Sequence, residues 1–155
     1  LPRQPRCGAC PVAGRCRAFS EDAAPDYPSK VPPVPKKEQD WTILLVRCGG
    51  KLLVRQRPKG LLGGLYEFAA VEGHYDEATL IRLLAQVGFD GARLLKRLPN
   101  SKHVFTHRVW RLQGWLAECD SPPGGFTPVD AAALAALPFP SALRVYRHIA
   151  EDILK

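Results

Sequence analysis

Arg57-Pro58-Lys59-Gly60-Leu61-Leu62-Gly63-Gly64-Leu65-Tyr66-Glu67-Phe68 is the stretch on which the reading of the fold turns. Its glycines make a flexible loop around two leucines, and Tyr66 opens a short strand expected to run to about Val71. Upstream, Trp41 to Arg47 and Lys51 to Gln56 are β-branched and leucine-rich runs separated by Cys48-Gly49-Gly50, a hairpin with a glycine turn. Downstream, Asp76 is placed to cap a helix reaching Val87. Leu80, Leu83, Leu84 and Val87 form its apolar stripe, and Gly88 stands where a left-handed C-terminal residue belongs.

Two further strands are expected at about Ala92 to Leu98 and Val104 to Leu116, the second turning Val104, Trp110, Leu112 and Leu116 to one face. A Pro/Gly loop, Ser121 to Thr127, leads to an alanine-rich helix from Asp130 to Leu137, which Pro138-Phe139-Pro140 breaks. Ser141 is read as the cap of a last amphipathic helix with Val145, Ile149 and Ile153 inward. This order describes an α+β fold, with an antiparallel or mixed sheet flanked by helices.

Ahead of that domain lies Cys7-Gly8-Ala9-Cys10-Pro11-Val12-Ala13-Gly14-Arg15-Cys16, three of the chain's five cysteines at a C-x2-C-x5-C spacing. A C-x2-C turn points two thiolates at one centre, and a third five residues on can close over it. The readings are a zinc knuckle, an iron-sulfur cluster, a disulfide with one thiol left over, or no shared role. An odd cysteine count and the lack of an apolar leader count against a disulfide framework. Ligation is the expected role, and spacing alone does not separate zinc from iron-sulfur. Residues 20–40 follow, rich in proline, as a semi-rigid connector. The expected division is therefore 1–19 for the cysteine segment, 20–40 for the linker and 41–155 for the folded domain.

Lys and Arg number 22 against 15 Asp and Glu, a formal charge of +7, which favours a polyanionic partner. Residues 1–17 carry Arg3, Arg6, Arg15 and Arg17 with no acid. Residues 91–117 carry Arg93, Lys96, Arg97, Lys102, Arg108 and Arg111, again with no acid. No apolar run approaches the roughly 20 residues a bilayer-spanning helix needs, so no membrane role is expected. Cys48 and Cys119 stand alone and are read as structural or incidental.

Resemblance sharpens these readings. The cysteine segment is similar to the last three cysteines of the C-x6-C-x2-C-x5-C iron-sulfur loop of the MutY and endonuclease III family of DNA glycosylases. It implies a [4Fe-4S] cluster on Cys7, Cys10 and Cys16, with a fourth cysteine expected immediately before Leu1. The Arg57–Phe68 stretch resembles the R-x2-G-L-L-x2-L-W-E-F run that precedes the catalytic helix of Nudix domains. Nudix hydrolases hold magnesium with an R-E-U-x-E-E-x-G-U helix. Setting Gly88-Phe89 on its closing G-U puts Ile81 and Arg82 on the leading R-E, and Ala85 and Gln86 on the E-E pair. Every metal carboxylate is missing, Arg82 repels a divalent cation, and Glu72 and Glu77 lie off the required positions.

A Nudix-like scaffold without its metal helix, joined through a proline-rich linker to an iron-sulfur loop, resembles the C-terminal part of MutY-family adenine DNA glycosylases. His103-Val104-Phe105-Thr106-His107 is similar to that family's H-x-F-S-H recognition loop, Val109-Trp110 continues its strand, and Phe139-Pro140-Ser141 is similar to the start of its closing helix. The resemblance implies a lesion reader for 8-oxoguanine paired with adenine in base excision repair. Oxidation turns guanine N7 from an acceptor into an N–H donor and adds a carbonyl at C8. Thr106, where the family more often has serine, would accept from N7–H, and the amide of Thr106 or His107 would donate to O8.

Phe105 would position the loop, and Arg3, Arg6, Lys102 and His103 would meet the DNA backbone. No catalytic residue is assigned in this chain. The acidic pair that cleaves the glycosidic bond belongs to an upstream catalytic domain of the same protein, so the chain alone is expected to be inactive. The implied setting is intracellular and DNA-associated, with the protein a monomer on duplex DNA bearing 8-oxoguanine:adenine mispairs. A protein-binding module on a catalytically dead Nudix fold, or a Nudix hydrolase with unusual ligands, are the other classes.

Overall fold

The structure is a computed structural model that describes residues 5–27 and 34–155. The chain divides into two compact units, Leu1–Pro35 and Lys36–Lys155. The first consists of 3-10 turns at Cys7–Ala9, Ala13–Arg15 and Ala24–Asp26 and a single-turn helix α1 (Arg17–Ser20), and none of these elements contains a buried residue. Its backbone is held locally, Cys10 N donating to Cys7 O, Ala13 N to Cys10 O and Cys16 N to Ala13 O. A segment this small buries too little apolar surface to be held by a core of its own. Of the expected connector, Ala24–Asp26 is a turn rather than extended chain. Pro28, Pro32 and Pro33 lie outside the described residues.

The second unit is built on β1 (Lys37–Cys48), β2 (Lys51–Gln56), β3 (Tyr66–Glu67), β4 (Ala69–Glu72), β5 (Arg93–Val104), β6 (Arg108–Glu118) and β7 (Thr127–Val129). Its helices are α2 (Glu77–Gln86), α3 (Ala131–Ala136) and α4 (Arg144–Ile153). The strands form one mixed sheet in the order β3-β2-β1-β6-β5, with β4 paired to β1 and β7 to β2. Both faces are covered. Ile43, Leu45, Leu52, Val54, Trp110 and Leu112 pack with Leu134, Leu143, Tyr146 and Ala150 of the C-terminal helical layer. Leu44, Val46, Leu53, Trp115 and Ala117 pack with Leu80 and Leu84 of α2 and with Phe89.

The expected α+β fold with a mixed sheet is the one observed, and several of its details are corrected. The sheet is not antiparallel throughout, because β1 runs parallel to β6 from Lys37↔Arg108 to Arg47↔Glu118. A parallel pair needs a long crossover, which the chain from β2 to β5, including α2, supplies. Strand β1 begins at Lys37, ahead of the expected Trp41, since Lys37-Glu38-Gln39-Asp40 carries no apolar signal and is held by β6 alone. The expected strand from Tyr66 to Val71 splits at buried Phe68 into β3, paired with β2, and β4, paired with β1. Strand β7, read from sequence as loop, is completed by pairing with Leu52–Val54.

Strand β6 is buried on both faces rather than one, and the expected strand from Val104 is interrupted by a turn at 105–107, leaving Val104 52% exposed. Around α2, Asp76 caps as expected, its carboxylate accepting from Thr79 N at 2.8 Å, and Gly88 has φ +91°. Leu80 and Leu84 are its buried residues, and Val87 is exposed. Ser141 makes no side-chain cap; it opens a 3-10 turn, Ser141–Leu143, that leads into α4. The buried residues there include Leu143, Tyr146 and Ala150. Ile149 and Ile153 pack half-buried against the same core as expected, and of the expected inward residues only Val145 is exposed.

Tyr146 is the bolt of this layer. It is fully buried and its hydroxyl donates to Pro99 O at 3.0 Å and to Leu112 O at 3.2 Å, which satisfies the one polar atom it brings inside. Its ring lies where a side chain at residue 114 would be, so a Cβ added to Gly114 would land on the Tyr146 ring and within 2.9 Å of Leu98 Cβ. Gly114→Ala is therefore expected to lower unfolding stability by roughly 1–3 kcal/mol, read as a lower urea midpoint with unchanged slope.

Candidate nucleic-acid interface and thiolate loop

The β5–β6 connection is Phe105-Thr106-His107, a turn closed by Phe105 N donating to Arg108 O at 2.8 Å. Two groups from the segment leading into β1 hold its outer side. Lys37 N donates to His107 O at 3.1 Å, and Lys36 Nζ donates to Phe105 O at 2.8 Å. The carbonyls at both ends of the turn are thus engaged. Thr106 and His107 are exposed between them.

Phe105 is the half-buried anchor. Its ring meets His103 at 4.5 Å and Trp110 at 4.9 Å, both edge-on, and Trp110 in turn lies 5.7 Å from Trp41. Each such aromatic pair contributes about 0.5–1.5 kcal/mol beyond the area it buries. Trp110 is fixed by its own polar end, Nε1 donating to Gln39 Oε1 at 3.1 Å. The guanidinium of Arg57 lies 5.9 Å from the Trp110 ring centroid while bonding Glu67, which is buried and also paired with Arg55 at 2.9 Å. The Arg57–Phe68 stretch thereby buttresses the same aromatic row that carries the tip.

At the tip, no described residue accepts from the N–H of Thr106 or of His107, and the Thr106 hydroxyl has no partner among the described residues. Side by side and facing solvent, the turn presents a hydroxyl that donates or accepts and two unused backbone donors. Of the residues expected to act beside them, Lys102 is exposed on β5 and His103 is half-buried against Phe105. Lys36, Lys37 and Gln39 were not read from the sequence as part of this site. They lie about 70 residues from the turn and carry no motif, and only the β1–β6 pairing brings them together.

The helix that serves catalysis in Nudix hydrolases carries no such chemistry here. Ile81, Arg82, Ala85 and Gln86 of α2 are all exposed, Arg82 bonds Thr79 Oγ1 at 3.2 Å, and the one carboxylate of the helix is Glu77. Among the described residues no three His, Cys, Asp or Glu side chains are drawn together as a ligand set for a single metal ion.

In the first unit, Cys7, Cys10 and Cys16 are unpaired and half-buried, and all three line one hollow together with Arg6 and Ala18. Thiolates of an iron-sulfur cluster bind separate irons and so stand around a volume rather than a point. The three sulfurs around one hollow fit that role. Arg6 is exposed at its rim, and Arg3 lies outside the described residues. The remaining cysteines differ in kind. Cys48 Sγ donates to Asp120 O at 3.6 Å, and the Cys119 thiol is pushed up to about 11, first by burial and then by Cys48 beside it. A thiol so held stays protonated and is a poor ligand.

Removing the anchor should loosen the tip selectively. Phe105→Ala is expected to cost about 2 kcal/mol, below the 3–5 typical of a fully buried phenylalanine. Amide exchange should accelerate at Thr106 and His107 and leave the Ile43–Val46 core of β1 unchanged.

Comparison with known proteins bears on the fold and the family. A family model described as the NUDIX domain matches residues 42–148, and one described as the iron-sulfur binding domain of endonuclease III matches residues 1–16. An adenine DNA glycosylase of Arabidopsis thaliana is 36% identical over 84 residues, which is 44% of this chain and 13% of that protein's length, so the match spans a small part of the relative. Among solved structures, the C-terminal domain of mouse MUTYH, determined in complex with human PCNA, superposes with a TM-score of 0.59 at 23% identity over 75% of this chain and 89% of that one. MutT, a Nudix hydrolase of methicillin-resistant Staphylococcus aureus, gives 0.59 at 16% identity over 76% and 98%. The chain belongs to the Nudix domain family, in the MutY-type arrangement that sets such a domain behind an endonuclease III iron-sulfur segment.

Proposed function

We propose that this chain is the lesion-reading part of an adenine DNA glycosylase, which recognises 8-oxoguanine opposite a misincorporated adenine while an upstream catalytic domain of the same protein removes the adenine. The observation that carries this reading is the unpartnered trio at the β5–β6 tip, the Thr106 hydroxyl with the Thr106 and His107 amides. N7–H and O8 of the oxidised base ask for an acceptor beside a donor, and the tip offers both. The Thr106 hydroxyl can also rotate to donate to the N7 of undamaged guanine. The backbone donor at O8 therefore has to supply much of the discrimination. Phe105 serves as the prop that keeps the two in register, and His107 closes the turn.

The reading assigns adenine excision by base flipping to the whole protein and none of that chemistry to these residues. Cys7, Cys10 and Cys16 would hold a [4Fe-4S] cluster, with the fourth thiolate supplied by a cysteine immediately before Leu1. When bound, the cluster supplies a rigid crosslink to a segment that lacks a core. Arg6, and Arg3 with it, would then meet backbone phosphates at low ordering cost. Lys102 and His103 are the corresponding candidates on the second unit. The protein would act as a monomer, in an intracellular, DNA-associated setting.

The decisive experiment is Thr106→Ala in the full-length parent. A single good base contact is worth about 1–3 kcal/mol. The ratio of adenine excision from 8-oxoguanine:adenine over guanine:adenine is accordingly expected to fall roughly tenfold to hundredfold, with excision retained. Equal loss on both mispairs would assign Thr106 a folding role instead. The isolated chain, run in the same assay, should release no adenine. A second expectation concerns the thiolates. Anaerobic reconstitution with iron and sulfide should give the visible thiolate-to-iron absorption in the full-length protein, and Cys16→Ala should abolish or sharply reduce it.

A protein-docking role has one observation in its favour, the likeness to a mouse MUTYH domain solved with human PCNA. A docking module would not distinguish a lesion-bearing duplex from a plain one, so the Thr106 experiment also separates these readings.

A further inference from the structure

A shallow hollow opens on the β5–β6 surface where β5 bulges. The register slips between Leu98↔Gly114 and Ser101↔Leu112, so Pro99 and Asn100 together face Gln113 alone. From the helical layer the Tyr146 hydroxyl pins the bulge through Pro99 O. Bulges re-aim side chains and end pairing locally. Here Asn100, Ser101 and Lys102 line the hollow, with His74, Arg111 and Leu112 as its other walls.

The electrostatics of the walls are unequal. Arg111 is committed, bonding Asp40 at 2.7 and 3.2 Å and lying 3.2 Å from Glu38, and its side-chain bonding holds the Asp40 carboxyl below the usual carboxylate range. His74 is likewise engaged through Nε2 at 3.0 Å from Arg111 O. The three β5 residues are not. Among the described residues the Lys102 ammonium has no ion pair, and neither the Ser101 hydroxyl nor the Asn100 amide makes a hydrogen bond. The register sets Lys102 and Asn100 on the face of their partners Arg111 and Gln113, where an uncommitted ammonium and an uncommitted side-chain amide reach the hollow, while Ser101, opposite Leu112, turns its hydroxyl to the other face of the sheet. An ammonium beside an amide donor suits an acceptor-rich anion of single charge.

We propose that this hollow holds one backbone phosphodiester of the duplex whose damaged base meets the tip. The inference rests on the reading of the chain as a duplex binder and extends it to a site that no lesion contact requires. Spacing supports the choice of ligand. Lys102 lies four residues from Thr106, at most about 14 Å at a fully extended ~3.4 Å per residue and less across the 105–107 turn, and one DNA strand advances about 3.4 Å per phosphate along its axis. A backbone passing the tip therefore crosses the hollow within about four nucleotides.

The test measures binding of the intact chain, by fluorescence anisotropy over a salt series, to two duplexes that differ only in an 8-oxoguanine:adenine or a guanine:cytosine pair. Lys102→Ala should reduce the slope of log Kobs against log salt by about 0.9 on both duplexes, and Lys102→Arg should keep it. Asn100→Ala should weaken binding to both without changing the slope. Lys51→Ala, an exposed lysine at the opposite end of β1 from the tip, serves as the control and should keep the full slope.

A wild-type slope in Lys102→Ala, with an unchanged melting temperature, overturns the site. An equal slope loss in Lys51→Ala also overturns it, since net charge and not the hollow would then be responsible. Thr106→Ala keeps the two readings apart. If it leaves lesion preference intact while Lys102→Ala lowers the slope, lesion reading falls and the phosphate site stands.

Discussion

The structure depends on the parallel pairing of β1 with β6 over eleven consecutive positions, Lys37 to Arg47 against Arg108 to Glu118. This ladder joins residues about 70 apart in sequence and closes the middle of the sheet, so that β2, β4 and β5 attach to strands already fixed. It also governs the tip. Because the register starts at Lys37↔Arg108, the residues just before it, Lys36 and the amide of Lys37, fall against the turn carbonyls and hold Phe105 and His107. A slip of one position would turn each side chain of β1 to the other face of the sheet. Both faces are buried, so such a slip would cost both cores.

In the role proposed for this chain, the working surface of the Nudix scaffold lies on a hairpin and not on the helix. Helix α2 keeps the capping and packing of a structural element, with Asp76 closing its first turn and Leu80 and Leu84 on the sheet, while its outward positions carry nothing that binds a divalent ion. Among the described residues, β5, its bulge and the turn after it carry several unpartnered polar groups, Asn100, Lys102 and Thr106 among them. An edge strand with Lys96, Arg97 and Lys102 on it resists pairing with another sheet, and the same charges suit a polyanion. In the proposed role, one set of residues would serve both protection of the edge and attraction of nucleic acid.

The cysteine segment follows a different logic. It has no buried residue in its turns, and its hydrogen bonds are local. What the sequence offers there is a set of soft ligands around a hollow, a design in which the bound group takes the place of a core. Cys48 and Cys119, by contrast, lie in a packed strand end where burial keeps the Cys119 thiol protonated. Chemistry of the same residue type divides according to whether the surroundings favour the thiolate.

Local signals in the sequence determined much of this protein. The Asp76 cap and left-handed Gly88 marked α2, the apolar runs marked β1, β2 and β6, the carboxylates missing from α2 set it apart from the family's metal-holding helix, and the cysteine spacing marked the iron-sulfur segment. Each depends on neighbours within a few residues, where propensity and period suffice. Tertiary structure alone decided the rest. The parallel partner of β1, the start of that strand in a charged stretch, and the short strand β7 come from pairings with distant residues that leave no local trace. Likewise the choice of Tyr146 over Val145 as the inward residue of α4 was made by Gly114, which leaves room for a ring 32 positions away. The exposure of Thr106 was decided in the same way. A turn reads as a turn from its sequence, but which of its atoms remain free to meet a ligand depends on which partners the folded chain brings to the others.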